Sequence, residues 1–184
     1  MKTAFWRTLY TPGHDAALLA QTATGWSLQG CAVYLLDGTP ASIRYELDLA
    51  PDWSTRSGAF EGLIGGKPVR RDIARDGKGW LLDGTRQTGL ENVVDLDLGF
   101  TPATNHPQLR RMALAIGEQK EIVVAWLDVW SDALAPLPQI YRRIGERSYD
   151  YESPQGPYQA ILQIADNGFV SDYPELWALE ASEG

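Results

Sequence analysis

A chain of 184 residues with 44% hydrophobic and 22% charged side chains can bury a core without disulfides and is too apolar to stay disordered. Its net charge of −8 sits wholly in the second half: residues 1–92 carry ten basic and ten acidic side chains, residues 93–184 six and fourteen. Nothing basic follows Arg147, which argues against a nucleic-acid partner and against anionic membrane surfaces.

In chain order, Phe5 to Tyr10 reads as a short strand stopped by Pro12-Gly13, and Ala16 to Thr22 fits a strand or a helix. Gly25 to Leu36 is strand-like, rich in aromatic and branched residues. Asp37-Gly38 is a hairpin turn, because both positions tolerate positive φ. The return strand is Ala41 to Leu49, with Ile43, Tyr45, Leu47 and Leu49 facing a core. Trp53 to Ile64, Val69 to Arg75 and Gly79 to Gly84 follow, separated by Gly65-Gly66 and Asp76-Gly77. Short strands between glycine turns are the pattern of an antiparallel meander.

The stretch Asn92 to Pro107 is the least ordinary. Val94, Leu96 and Leu98 alternate with Asp95 and Asp97, so a strand here presents both carboxylates on one face, roughly 7 Å apart. Gly99, two prolines and Thr104-Asn105 then force an irregular corner. Pro107 to Leu114 fits a helical turn or an extended segment. Glu121 to Trp130 is the strongest strand, apolar on both faces and so read as sandwiched. In the next strand Gln139, Tyr141 and Arg143 share a face; Tyr149 and Tyr151 share another. Tyr158 to Ile164 and Phe169 to Tyr173 form a hairpin over Asp166-Asn167-Gly168, and Trp177 and Leu179 anchor the last segment.

Gly25-Trp26-x-Leu28-x-Gly30 matches Gly79-Trp80-x-Leu82-x-Gly84, as an internal duplication or a chance match would. About a dozen strands with no long helix predict a mainly β fold: a strongly curved antiparallel sheet or barrel-like meander with an apolar concave face. The chain reads as one domain, 1–184. No apolar run approaches the roughly 20 residues of a membrane span, and the N-terminus lacks the apolar core of a signal peptide. The expectation is a cytoplasmic protein without an integral membrane segment. Oligomeric state is not legible.

The chemistry-bearing residues are few. Cys31 is the one cysteine, so no internal disulfide and no Cys/His metal spacing exist. Asp95 and Asp97 fall short of an oxygen-ligand metal site and lack the calcium-loop pattern. His106, in the corner, is the only reasonable base, but no nucleophile elbow accompanies it. No metal, cofactor or catalytic residue is expected. Trp53, Trp80, Trp126, Trp130, Tyr141, Tyr149 and Tyr151 fall on expected strands. Aromatic rings beside a few polar groups are what line a ligand cavity. Trp53 with Arg56, followed by Trp80, is the best local lining. Arg56 or Arg110 could hold an anionic head group.

The blocks Asp52-Trp53-Ser54-Thr55-Arg56, Gly77-Lys78-Gly79-Trp80, Asp95 to Asn105, Gln139-Ile140-Tyr141 and Gly168 to Pro174 resemble, in order, the putative glycolipid-binding family, a bacterial family once classed as a domain of unknown function. The resemblance implies a curved sheet around an apolar cavity, like bacterial lipid and lipoprotein carriers. It supplies no catalytic residues. The absence of an export signal departs from periplasmic carriers. On the matched motifs, the expected ligand-binding set is Trp53, Arg56, Trp80, Asp95, Asp97, Thr101, Asn105, Arg110, Gln139 and Tyr141. The expected ligand is a glycolipid or similar amphiphile. The alternatives are an enzyme on a small or sugar-bearing substrate using Asp95, Asp97 or His106, and an interaction module pairing through edge strands.

Overall fold

Glycine turns and alternating side chains produce the strands. The computed structural model describes residues 1–184. Its first meander runs β1 (Lys2–Thr8), β2 (Gly13–Thr22), β3 (Gly25–Leu36), β4 (Thr39–Leu49), β5 (Thr55–Ile64), β6 (Lys67–Asp76), β7 (Gly79–Leu82) and β8 (Thr85–Arg86). Then come β9 (Asp95–Leu98), a 3-10 turn (Pro102–Thr104) and helix α1 (Asn105–Met112). The second meander is β10 (Gln119–Leu127), β11 (Ala135–Arg143), β12 (Ser148–Ser153), β13 (Tyr158–Ile164), β14 (Val170–Tyr173) and β15 (Trp177–Glu183).

β1 pairs with β15, so the two meanders merge into one fifteen-stranded sheet with β8 at one edge and β9 at the other. All pairs are antiparallel except β9 with β10. That exception makes an otherwise antiparallel sheet mixed at one edge. A parallel neighbour needs a crossover, and the corner plus α1 supplies it.

The sheet curls but does not close as a barrel. The residues just before β9 approach β5 and β7 through single contacts rather than a ladder: Thr55 N–H donates to Val94 O at 2.9 Å, and the Trp80 indole N–H donates to Val93 O at 2.8 Å. On the other side Arg71 Nε donates to Ser131 O at 3.2 Å, and Leu134 N–H donates to Gln87 Oε1 at 3.1 Å.

The inner face is the expected one on β4, where Ile43, Tyr45, Leu47 and Leu49 are all buried. Ala16 to Thr22 is strand, and Pro107 to Leu114 is largely helix. β10 ends at Leu127, leaving Trp130 in the following loop; the strand is exposed at its start, through Val123, and covered on both faces from Val124 to Leu127. The two Gly-Trp segments differ: β3 runs 12 residues and β7 four, and Trp26 is half-buried while Trp80 is wholly buried. No helix is long and apolar enough to cross a membrane.

The concavity is largely occupied by the chain itself. Phe100, Ala103, Thr104, Asn105 and His106 are buried in it. Phe100 meets Tyr45 and Phe60 edge-on at ring distances of 5.9 and 5.3 Å. The core therefore divides into a large cluster under β1–β7 and the corner, and a smaller one between α1 and β10–β14.

Candidate functional site

β9 and the corner position the polar residues. Asp95 and Asp97 share a strand face, as the alternation requires, but their fates differ. Asp95 is buried and takes a two-pronged ion pair from Arg111, with Nε donating to Oδ1 at 2.8 Å and Nη2 to Oδ2. Bonding to Asp95 raises the pKa of Arg111. Asp97 has no cation. Its Oδ1 accepts from Thr104 Oγ1 at 2.7 Å and its Oδ2 from Gln139 Nε2 at 2.8 Å. Burial pushes its pKa up, against the lowering effect of those two bonds.

Gln139 belongs to a buried amide–phenol network. Tyr141 Oη accepts from Asn105 Nδ2 at 3.0 Å and lies 3.0 Å from Gln108 Oε1 and 3.2 Å from Gln139 Oε1. On the opposite side of the corner, Thr101 Oγ1 donates to Asp15 Oδ2 at 2.5 Å and Tyr45 Oη donates to the same carboxylate at 2.9 Å. Complete burial raises the Asp15 pKa to about 6, although both hydroxyls pull the other way. His106 packs against Phe169 and Trp53, with ring distances of 4.7 and 5.6 Å, and neither ring nitrogen has a partner. Burial drives its pKa down to about 3, so the imidazole is neutral at pH 7.

Two large depressions exist. One, of about 930 Å³, is an open groove across the outward face of β1–β4 and β15, among Phe5, Ala16, Gln29, Cys31 and Arg44. The other, of about 550 Å³, lies between the corner and β10–β15, at the seam of the two core clusters. Its walls are Trp126, Leu137, Tyr151, Tyr158, Tyr173 and Trp177, and its polar groups include Asp97, Thr101 and Asn105. A concave, largely apolar site with a few fixed polar groups is the ordinary form of a small-molecule pocket. This second cavity is the candidate site.

Of the ten residues expected from sequence, Asp97, Thr101 and Asn105 line it. Gln139 and Tyr141 stand behind it, fully buried, and hold Asp97 and Asn105 in place. The other five lie elsewhere. Trp80 is wholly buried in the main core, with its N–H bound to Val93 O, so it can line nothing. Asp95 is held by Arg111. Trp53 stacks on Trp26 at 4.3 Å, and Arg110 lies over its ring at 5.4 Å. Arg56 is bound to Thr24 O at 2.5 Å and pairs with Asp48 at 3.4 Å. Neither arginine reaches the cavity.

Sequence reading did not assemble Tyr158, Tyr173, Leu176 and Trp177 into the site. Tyr173, Leu176 and Trp177 come from the β14–β15 hairpin and Tyr158 from the start of β13, and sheet order brings them to the corner. No group of three or more His, Cys, Asp or Glu side chains stands close enough to hold a metal ion.

A family model described as "Putative glycolipid-binding" matches residues 3–178. The crystal structure of a DUF1089 family protein from Pseudomonas aeruginosa is similar, with a TM-score of 0.77 and 25% identity over 89% of this chain and 91% of that one. No curated protein matches.

Proposed function

The chain belongs to the putative glycolipid-binding family, and from that premise we propose that it is a non-catalytic binding protein holding a glycolipid or similar amphiphile in the cavity between the corner and β10–β15. The observation that carries this reading is the cavity itself: about 550 Å³, walled by aromatic and aliphatic side chains, with Asp97 and Asn105 among its few polar groups. That volume lies in the range of small-ligand pockets and suits part of an amphiphile rather than a whole lipid. The enzymatic alternative has less support. Asp95 is committed to Arg111, and His106 is buried, neutral and outside the lining. Asp97 alone faces the cavity.

The test is a titration of the purified protein with alkyl glycosides, read by calorimetry and by tryptophan fluorescence, since Trp126 and Trp177 form part of the wall. Saturable binding, weakened by Leu137→Trp, which narrows the cavity, is the expected result. No binding by the wild type, or equal binding by the narrowed variant, would sink the reading.

A further inference from the structure

Asp97 is a buried carboxylate to which the protein gives no cation. Thr104 Oγ1 accepts from Leu98 N–H at 3.4 Å and donates to Asp97 Oδ1, while Gln139 Nε2 donates to Oδ2. Both oxygens are acceptors, as in an ionised carboxylate. The charge acting on it along β9 is Asp95, of the same sign. Asp95, on the same strand face, has its own arginine and lies outside the cavity; Asp97 has none and is the single charged side chain lining it. Resting on the binding reading above, we propose that the ligand of this cavity carries a cation, an ammonium group seated beside Asp97 and among the aromatic rings of the wall.

The rings suit that charge. Trp126 is the register neighbour of Asp97 across the β9–β10 pair, and both side chains line the cavity. Tyr151, Tyr158 and Tyr173 cluster with ring centroids 5.5, 5.8 and 6.1 Å apart, and Trp177 neighbours Tyr173 on β15. Trp and Tyr rings attract ammonium ions, more strongly where water is displaced. Each oxygen of Asp97 accepts one internal hydrogen bond and can accept another, so the N–H groups of an ammonium find a partner there.

The wider field has the same sign. Every lining residue falls between Asp97 and Trp177, within the half of the chain that holds the whole net charge of −8. Such a field gathers cations and repels carboxylates and phosphates. Burial disfavours the charged form of Asp97 and so raises its pKa; an ammonium beside it reverses that effect, and the complex holds Asp97 ionised. An amino-sugar lipid and a plain alkylamine share this chemistry.

Calorimetry on the wild-type protein at about pH 6.5, where the amines are charged, tests this. The probes are octylammonium, octyl glucosaminide, octyl glucoside, octanoate and 1-octanol, each below its micelle-forming concentration. Octylammonium binds about tenfold more tightly than 1-octanol or octanoate. Octyl glucosaminide binds about fivefold more tightly than octyl glucoside, which has a hydroxyl in place of the amine. The tighter of the two amines tells an amino sugar from a plain alkylamine. Asp97→Asn removes one of 24 acidic side chains and so leaves attraction to the surface almost unchanged. It weakens octylammonium binding by about tenfold and leaves 1-octanol within about twofold. The wild-type ranking stands as a test by itself if the variant does not fold. Octanoate or 1-octanol binding as tightly as octylammonium overturns the proposal, as does an ammonium preference that survives Asp97→Asn; octyl glucoside binding then leaves the cavity reading standing. Amine binding without octyl glucoside binding supports the cation and removes the neutral sugar from that reading. Failure of all the probes to bind removes both.

Discussion

Thr101 donates its hydroxyl to Asp15 at 2.5 Å, joining the corner to β2 across 86 residues of chain. Tyr45, on β4, completes the group. Three polar side chains from three elements thereby fix the corner inside the concavity, and the position of the corner sets the shape of the cavity on its far side.

This group gives a pH dependence with a definite sign. The pKa of Asp15 is raised to about 6 in the folded protein, above its ordinary 3.8. The native state therefore holds the proton more tightly between those values, and this carboxyl opposes folding increasingly as pH rises from about 4 to about 6. The full effect is about 3 kcal/mol, reached above pH 6. Asp15→Asn removes the ionisation while keeping an acceptor for one hydroxyl. Its stability relative to the wild type should rise across this window, measured by urea unfolding at pH 4 and pH 7. A constant difference between the two proteins would contradict the assignment.

Arg111 and Asp95 form the buried ion pair that orients β9. Arg111→Met leaves an uncompensated buried carboxylate and should destabilise the protein by about 3–5 kcal/mol. Arg111→Lys restores the charge but not the two-pronged geometry and should recover only part of the loss. Asp95→Leu combined with Arg111→Met should be more stable than Arg111→Met alone. The double-mutant cycle, read by chemical denaturation, checks the order of these three variants.

Much of the first meander was legible in the sequence, because its determinants are local. The Asp37-Gly38 turn and the alternation of Ile43, Tyr45, Leu47 and Leu49 define a hairpin and its inner face. The second meander's parallel neighbour was not legible, since β9 finds β10 only after α1 has crossed the concavity. Helix α1 is short and has no side-chain cap bond at its start, so packing rather than local preference holds it. The unequal fates of Asp95 and Asp97 were hidden for the same reason. Their spacing on β9 is equivalent, and a guanidinium sixteen residues after Asp95 decides which of them remains available. The aromatic wall of the cavity comes from five strands, a juxtaposition no window of sequence contains.

Gly99 controls the width of the cavity. A Cβ at this position would lie 2.9 Å from Trp126 Nε1 and 3.1 Å from its Cζ2. Gly99→Ala must therefore displace the indole from the corner, at a cost of about 1–3 kcal/mol for overpacking. Because Trp126 is a wall residue, amphiphile binding should weaken and the tryptophan emission should shift even where thermal unfolding shows an intact fold. Unchanged binding by a folded Gly99→Ala variant would show that the cavity tolerates displacement of this ring.

Trp53 occupies a backbone position suited to glycine. Its φ is +72°, in the left-handed region, at the end of a turn closed by Trp53 N–H to Ala50 O at 2.9 Å and followed by Ala50 N–H to Ser54 O at 2.8 Å. A bulky residue there is strained by about 1–2 kcal/mol. The ring compensates through its stack on Trp26, the guanidinium of Arg110 above it and the edge of His106 beside it. Two truncations separate the effects. Trp53→Ala loses the ring and keeps the strain; Trp53→Gly loses the ring and relieves it. Both should be less stable than the wild type, with the glycine variant about 1 kcal/mol above the alanine variant in denaturant unfolding. An alanine variant equal to or more stable than the glycine variant would mean that the turn relaxes once the indole is gone, and that the strain belongs to the ring's packing rather than to the backbone.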